Sequence, residues 1–104
     1  MWTDVATGIG FANSWVNYGG VYAQARYRKD GQGFVHLSGV IKSGTMGASA
    51  FTLPVGYRPS LQLIFPAASG STTRVDVLPD GPVIPTTGTA ASCALDAIVF
   101  YADQ

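Results

Sequence analysis

Side chains suited to acid–base chemistry are few in this 104-residue chain. It has one histidine, His36, one cysteine, Cys93, and six carboxylates, all of them aspartates. Two aspartates lie in turn sequences, where this residue commonly bonds the backbone, and two lie near the termini, which leaves Asp76 and Asp96. A His36–Asp76 pair is conceivable. We favour the alternative, in which His36 is exposed and Asp76 forms an ion pair with Arg74 or a cross-strand neighbour.

The sequence also lacks the motifs that organise catalysis. It contains no G-x-S-x-G, no P-loop and no H-E-x-x-H, and catalysis needs several converging titratable groups. One histidine, one distant cysteine and scattered aspartates do not provide the ligand spacing of a metal site. We therefore predict a protein that is not an enzyme, without metal or cofactor, whose function is binding or assembly.

Aromatic residues are better supplied, with twelve in the chain. Carbohydrate sites use aromatic faces to stack on sugars and a few polar groups to bond hydroxyls. Core packing is the alternative for each ring. It is the stronger interpretation for Trp15, Phe51, Phe65 and Phe100, whereas core packing and ligand binding stay equally open for Tyr18, Tyr22 and Tyr57. The candidate binding residues are Tyr57 with Arg58 in a proline-rich turn, His36, Arg74 and Asp76 on outward strand faces, and Tyr18 and Tyr22.

The composition is poor in charge. Charged residues make up 12% of the chain and the net charge is zero, where about 25% charged is usual. A neutral, apolar domain tends to associate, and symmetric homo-oligomers are the common result. A monomer with a Ser/Thr/Gln-rich surface is the alternative. No basic stripe favours nucleic acid, no apolar run reaches the roughly 18 residues of a membrane span, and the first residues do not resemble a signal peptide.

Glycine and proline divide the chain into short segments with period-two alternation, which predicts strands and no helices. We expect one domain, residues 1–104, folded as an all-β antiparallel sandwich of jelly-roll type. Cys93 lies in an apolar stretch and is predicted to be buried. The expected strands number about eight and cover residues 21–29, 34–42, 49–53, 61–67, 73–78, 82–86, 92–95 and 97–102.

Some of these segments carry finer predictions. Residues 30–33 form a turn between the first two strands, and residues 53–59 form an ordered turn. Gly39 in mid-strand indicates a bulge or a close approach by another backbone or ring. Val75 and Val77 should face inward, with Arg74 and Asp76 outward. The final strand is apolar on both faces, so it should be central or lie in a subunit interface.

Several segments resemble a module found at the C-terminal end of phage tail fibre and minor tail proteins. The WVNYG of residues 15–19, the VHLSG of residues 35–39 and the FTLPVGYRP of residues 51–59 carry the likeness, and the LPVGYRP within the last is its most specific part. The resemblance implies a β-sandwich head that trimerises about the fibre axis. It also implies a place at the distal end of a virion appendage, in contact with host-surface saccharide.

Three functions are therefore weighed. The first is a receptor-binding tip that recognises a host-surface glycan. The second is a purely structural trimerisation cap, and the third is a glycan-binding accessory domain of a depolymerase. The family offers no shared binding motif to transfer, so the candidate site residues rest on their chemistry alone. We expect Tyr57→Ala or Asp76→Ala to weaken glycan binding without dissociating the trimer.

Overall fold

The computed structural model describes residues 2–68, 72–87, 92–96 and 98–102. Within these ranges the chain forms antiparallel strands and no helix, which confirms the all-β prediction. No helix long and apolar enough to cross a membrane occurs there. The strands are β1 (Thr3–Asp4), β2 (Val16–Asn17), β3 (Arg26–Lys29), β4 (Phe34–Ser38), β5 (Val40–Lys42), β6 (Phe51–Thr52), β7 (Leu63–Ala68), β8 (Thr72–Val77), β9 (Pro82–Thr87), β10 (Cys93–Ala94) and β11 (Val99–Tyr101).

The first sheet has the strand order β1-β3-β4-β11. Its centre is the predicted hairpin, β3 and β4, in which Arg28 lies opposite His36. Asp30 holds the turn between them, because its Oδ1 accepts hydrogen bonds from the backbone N–H of Gln32 and Phe34 at 2.9 and 3.0 Å. The first arm is shorter than predicted, since residues 21–25 precede the strand.

Gly39 joins the first sheet to the second, whose order is β10-β5-β2. Its φ is +107°, and a Cβ placed there would lie 2.5 Å from the carbonyl oxygen of Gln24. The predicted close approach of another backbone is therefore confirmed. The break also divides the predicted strand of residues 34–42 into β4 and β5. Asp96 fixes the bend, since its Oδ1 accepts hydrogen bonds from Gly39 N at 2.8 Å and Ser38 Oγ at 3.0 Å.

The third sheet has the order β6-β9-β8-β7. Val75 and Val77 of β8 are fully buried, as predicted. Asp76, on the opposite face, is only 4% exposed. Asp76 therefore lies on the predicted side of the strand, but it is not open to solvent, because Arg74 and Gln62 cover it. Pro66 lies in β7, an edge strand of this sheet, which is where proline costs no ladder hydrogen bond.

The core draws on all three sheets. Trp15, Phe51 and Phe100 are buried there and Phe65 packs against it, as their alternation predicts. Cys93 is also buried, and burial raises the pKa of its thiol to about 11. The buried members are Val5, Trp15, Ala25, Tyr27, Val35, Leu37, Ile41, Ala50, Phe51, Leu53, Val75, Val77, Val83, Cys93, Leu95, Ile98 and Phe100.

The final strand, β11, takes one of its two predicted positions out of consideration. Among the described residues it pairs with β4 alone and is an edge strand of the first sheet. Of the two predicted positions, the central one is therefore wrong, and the subunit interface stays a prediction. Phe100 turns into the core, whereas Val99 and Tyr101 on the other face are exposed. One apolar face of the strand therefore packs in the core, and the other forms part of an apolar surface.

Candidate functional site

Tyr18 and Tyr22 form an exposed aromatic pair beside the second sheet. Their ring centroids lie 5.1 Å apart and the rings are nearly perpendicular, at 89°. The ammonium of Lys42 lies 5.1 Å from the Tyr18 ring centroid. Tyr18 is 39% and Tyr22 51% exposed. Two aromatic faces and a cation therefore share one accessible surface.

Backbone hydrogen bonds hold this pair in place. Tyr18 N donates to Val40 O at 2.8 Å, and Tyr22 N donates to Gly19 O at 3.2 Å, which closes the turn between the tyrosines. Asn17 Oδ1 accepts from Ala25 N at 2.7 Å and ties the end of the loop to β2. Hydrogen bonds therefore hold both ends of the loop that carries the two rings, next to the edge of the sheet.

We call this surface the tyrosine patch; its members are Val16, Tyr18, Val21, Tyr22 and Lys42. The two valines are exposed and extend the apolar part, and Val16 lies directly opposite Lys42 in the β2–β5 ladder. Ring faces can stack on the C–H surface of a sugar, while phenol hydroxyls and the ammonium can bond its hydroxyl or acidic groups.

His36, another predicted site residue, is engaged with the β3–β4 turn. Its Nε2 lies 3.0 Å from Asp30 Oδ2. The hydrogen bond with His36, followed by those from the backbone N–H of Phe34 and Gln32, lowers the pKa of Asp30 to about 2. The structure therefore pairs His36 with Asp30 and not with Asp76, which lies in a different sheet.

Arg74 and Asp76 satisfy each other. Arg74 Nε and a terminal guanidinium nitrogen donate to the two carboxylate oxygens at 2.8 and 2.9 Å, which confirms the favoured ion pair. Gln62 Nε2 adds a third hydrogen bond, at 2.8 Å. The Arg74 hydrogen bond is the main reason that the pKa of Asp76 is lowered. Since Asp76 is buried and bonded on both oxygens, its part in this network is structural.

Tyr57 and Arg58 are also tied into the fold. Arg58 Nε donates to Leu53 O at 2.8 Å and so closes the turn of residues 53–59, as predicted. The Tyr57 ring meets Tyr27 edge to face, with 5.3 Å between centroids, and Lys29 Nζ lies 5.8 Å from it. Burial, and then the neighbouring Tyr57, raise the pKa of Tyr27. Contacts with other parts of the protein therefore hold this turn in place.

The seven predicted residues thus occupy four separate places. Only Tyr18 and Tyr22 are brought together on an accessible surface. Lys42 was not predicted as their partner, and its place beside Tyr18 comes from the pairing of β2 with β5. Nor was the cluster of Trp2 with Arg26 and Arg28 predicted, in which the guanidinium carbons lie 4.7 and 5.6 Å from the Trp2 ring centroid.

A second apolar surface lies between the edge strands β7 and β11. It is a groove of about 430 Å³ lined by both strands and the segment before β7. Leu61, Ile64, Val99 and Tyr101 are exposed in it. The strand predicted for residues 61–67 is β7, which begins at Leu63, so Leu61 lies outside it.

Among residues 2–68, 72–87, 92–96 and 98–102, no group of three or more His, Cys, Asp or Glu side chains lies close enough to hold a metal ion. A comparison with protein-family models gives no match. Comparisons with curated proteins and with solved structures give no significant match either.

Proposed function

We propose that this domain is the tip module of a phage tail fibre or similar viral appendage and binds host-surface saccharide through the tyrosine patch. The observation that carries the proposal is the exposed, perpendicular Tyr18–Tyr22 pair with Lys42 beside it. The resemblance in residues 53–59 supports the placement on a virion.

The tyrosine patch suits this role better than the other predicted residues. Stacking on a sugar requires a ring face open to solvent and held in one orientation. Tyr57 packs on Tyr27, and Asp76 is buried under its own partners. Tyr18 and Tyr22 combine exposure with a loop fixed at both ends.

We further propose that the domain acts as a homotrimer with a sandwich-like head. A shallow patch binds one saccharide weakly. Linked copies of such a site can raise the overall avidity by about 10²–10⁴ without any new contact. The low charge of the chain supports self-association, since few charges oppose it.

The groove between β7 and β11 is the surface that we assign to a second copy of the chain. Its exposed side chains and those of neighbouring Phe34 carry no charge. An apolar patch of this kind can pack against the same patch on another copy. These five side chains are between 40% and 73% exposed. Because a large side chain can bury on the order of 150–250 Å², their exposed parts could bury roughly 500 Å² of surface per copy. Three copies of this patch meeting about a three-fold axis would bury roughly 1,500 Å² in total, comparable to the total area of a standard specific interface.

Two substitutions separate the binding surface from the assembly surface. Tyr22 and Tyr101 are both 51% exposed. Tyr22 lies in the loop after β2 and Tyr101 in β11, so their alanine variants remove rings of equal exposure from separate surfaces. We expect Tyr22→Ala to weaken binding to host-surface polysaccharide at least tenfold while the mass from light scattering remains that of a trimer. Tyr101→Ala should lower the mass toward the 10.8 kDa monomer and leave the affinity for a monovalent oligosaccharide unchanged.

The outcomes distinguish the functions. Equal glycan affinity in wild type and Tyr22→Ala would refute the tyrosine patch as the binding site. A trimer that binds no host-surface saccharide would favour the structural cap, which the exposed apolar groove also supports. A wild-type mass of 10.8 kDa at micromolar concentration would refute the trimer.

A further inference from the structure

Arg26 and Arg28 stand on one face of β3, and no described carboxylate forms an ion pair with either of them. They are two residues apart on the strand, so their side chains leave the same face of the sheet. No ion pair or hydrogen bond joins either guanidinium to a described acidic side chain, and the two ion pairs within the described residues involve His36 and Arg74. Two permanent positive charges are therefore left facing outward.

Two of the three acidic side chains near this pair are already engaged elsewhere. Asp4 lies opposite Arg26 in the β1–β3 ladder, yet it forms no ion pair with it. Asp30 is held by His36, which lies opposite Arg28. Asp96 is bonded to Ser38 and to Gly39 N. Of these three described carboxylates, Asp30 and Asp96 therefore accept hydrogen bonds elsewhere, and Asp4 is the one that remains beside Arg26.

Trp2 holds both guanidinium groups in place. The guanidinium carbons of Arg26 and Arg28 lie 4.7 and 5.6 Å from its ring centroid, so they are no more than about 10 Å from each other. The Nε of Arg26 is buried and has no hydrogen-bond partner in the part of the chain that the structure describes. A cation that is partly desolvated and unpaired gains more from binding an anion than a fully hydrated one.

We propose that Trp2, Arg26 and Arg28 form a binding site for a phosphate monoester group. Guanidinium groups donate parallel hydrogen bonds to phosphate or carboxylate oxygens. Two of them match the double negative charge and three terminal oxygens of a phosphate better than a single carboxylate. Stacking on Trp2 fixes the donors before binding, which lowers the ordering cost. The site lies on the first sheet, whereas the tyrosine patch is on the second.

The test follows the Nε–Hε NMR signals of Arg26 and Arg28 while inorganic phosphate, a hexose 6-phosphate or a hexuronate is added. We expect saturable shifts with both phosphates and at least tenfold weaker binding of the hexuronate. Arg28→Gln should weaken phosphate binding at least tenfold. Arg28→Lys should recover only part of that loss, because it restores the charge but not the planar donor pair.

Lys29→Gln is the matched control, since it removes one positive charge from the next residue, which reaches toward Gly56 O on another side. It should change phosphate affinity less than twofold. Equal losses in Arg28→Gln and Lys29→Gln would show a general charge effect and overturn the site. Absence of saturable shifts with either phosphate at millimolar concentration would overturn it too, and hexuronate binding as tight as hexose phosphate would overturn the choice of phosphate.

Discussion

Replacing Gly39 with alanine should be among the most damaging single-methyl changes in this protein. A Cβ there would lie 2.5 Å from Gln24 O and 2.6 Å from Ala25 N. Both atoms belong to the backbone and cannot turn aside as a side-chain tip could. The φ of +107° is also a conformation that residues with a Cβ rarely adopt.

The expected loss follows from these two effects. A non-glycine residue held in a sparsely populated backbone region costs about 1–3 kcal/mol. Forcing a methyl group into a closely packed place costs about 1–3 kcal/mol more. The free energy of unfolding should therefore fall by about 2–6 kcal/mol, a large part of the 5–15 kcal/mol that is typical of natural proteins.

Two other glycines separate the effects in a urea-unfolding assay. Gly56 has φ of +97° but open space around the position of a Cβ, so Gly56→Ala should lose about 1–3 kcal/mol from strain alone. Gly31 has open space and no positive φ. Gly31→Ala should stay within about 1 kcal/mol of wild type.

The order of the three variants is the decisive result. If Gly39→Ala is no less stable than Gly56→Ala, the contact with the 24–25 backbone is not tight, and the reasoning about the bend is wrong. If Gly31→Ala loses as much as Gly56→Ala, positive φ is not the source of the cost.

Two further predictions concern titratable groups. Cys93 should not react with a thiol reagent at pH 8 in the native protein and should react fully in guanidinium chloride, because burial raises its pKa to about 11; rapid native reaction would contradict its burial. The carboxyl carbon of Asp30 should titrate by NMR near pH 2. Because this folded-state pKa lies below the ordinary 3.8, Asp30 contributes stability above that pH and loses it as the pH falls from about 3.8 to about 2; a midpoint near 3.8, or an Asp30→Asn variant with the same acid profile, would contradict this.

The local parts of the fold could be predicted from the sequence. The β3–β4 hairpin, the turn of residues 53–59 and the inward Val75 and Val77 follow from alternation and turn chemistry, which act over a few residues. The division into three sheets does not follow from them. It depends on the bend at Gly39, where Asp96 and Leu95 bond to the glycine from more than fifty positions away along the chain.

The candidate site was predictable to a smaller extent. Residue type identified Tyr18 and Tyr22, but alternation alone could not show that Asp76 is covered by Arg74 and Gln62. Strand alternation indicates which side of a sheet a residue faces and does not show what lies above that face. The stacking of Trp2 on β3 likewise depends on the β1–β3 pairing, which brings together distant parts of the chain.

The order of strands in the first sheet also bears on how the chain folds. The β3–β4 hairpin needs only a short turn, whereas β11 reaches β4 after β5 to β10 have intervened. Such non-local pairing is slow, because a long loop must close before its contacts form. Until β11 docks, β4 presents an unpaired edge. The β11 of another copy can form the same hydrogen bonds with that edge. At high protein concentration, pairing between chains should therefore compete with pairing within one chain during refolding.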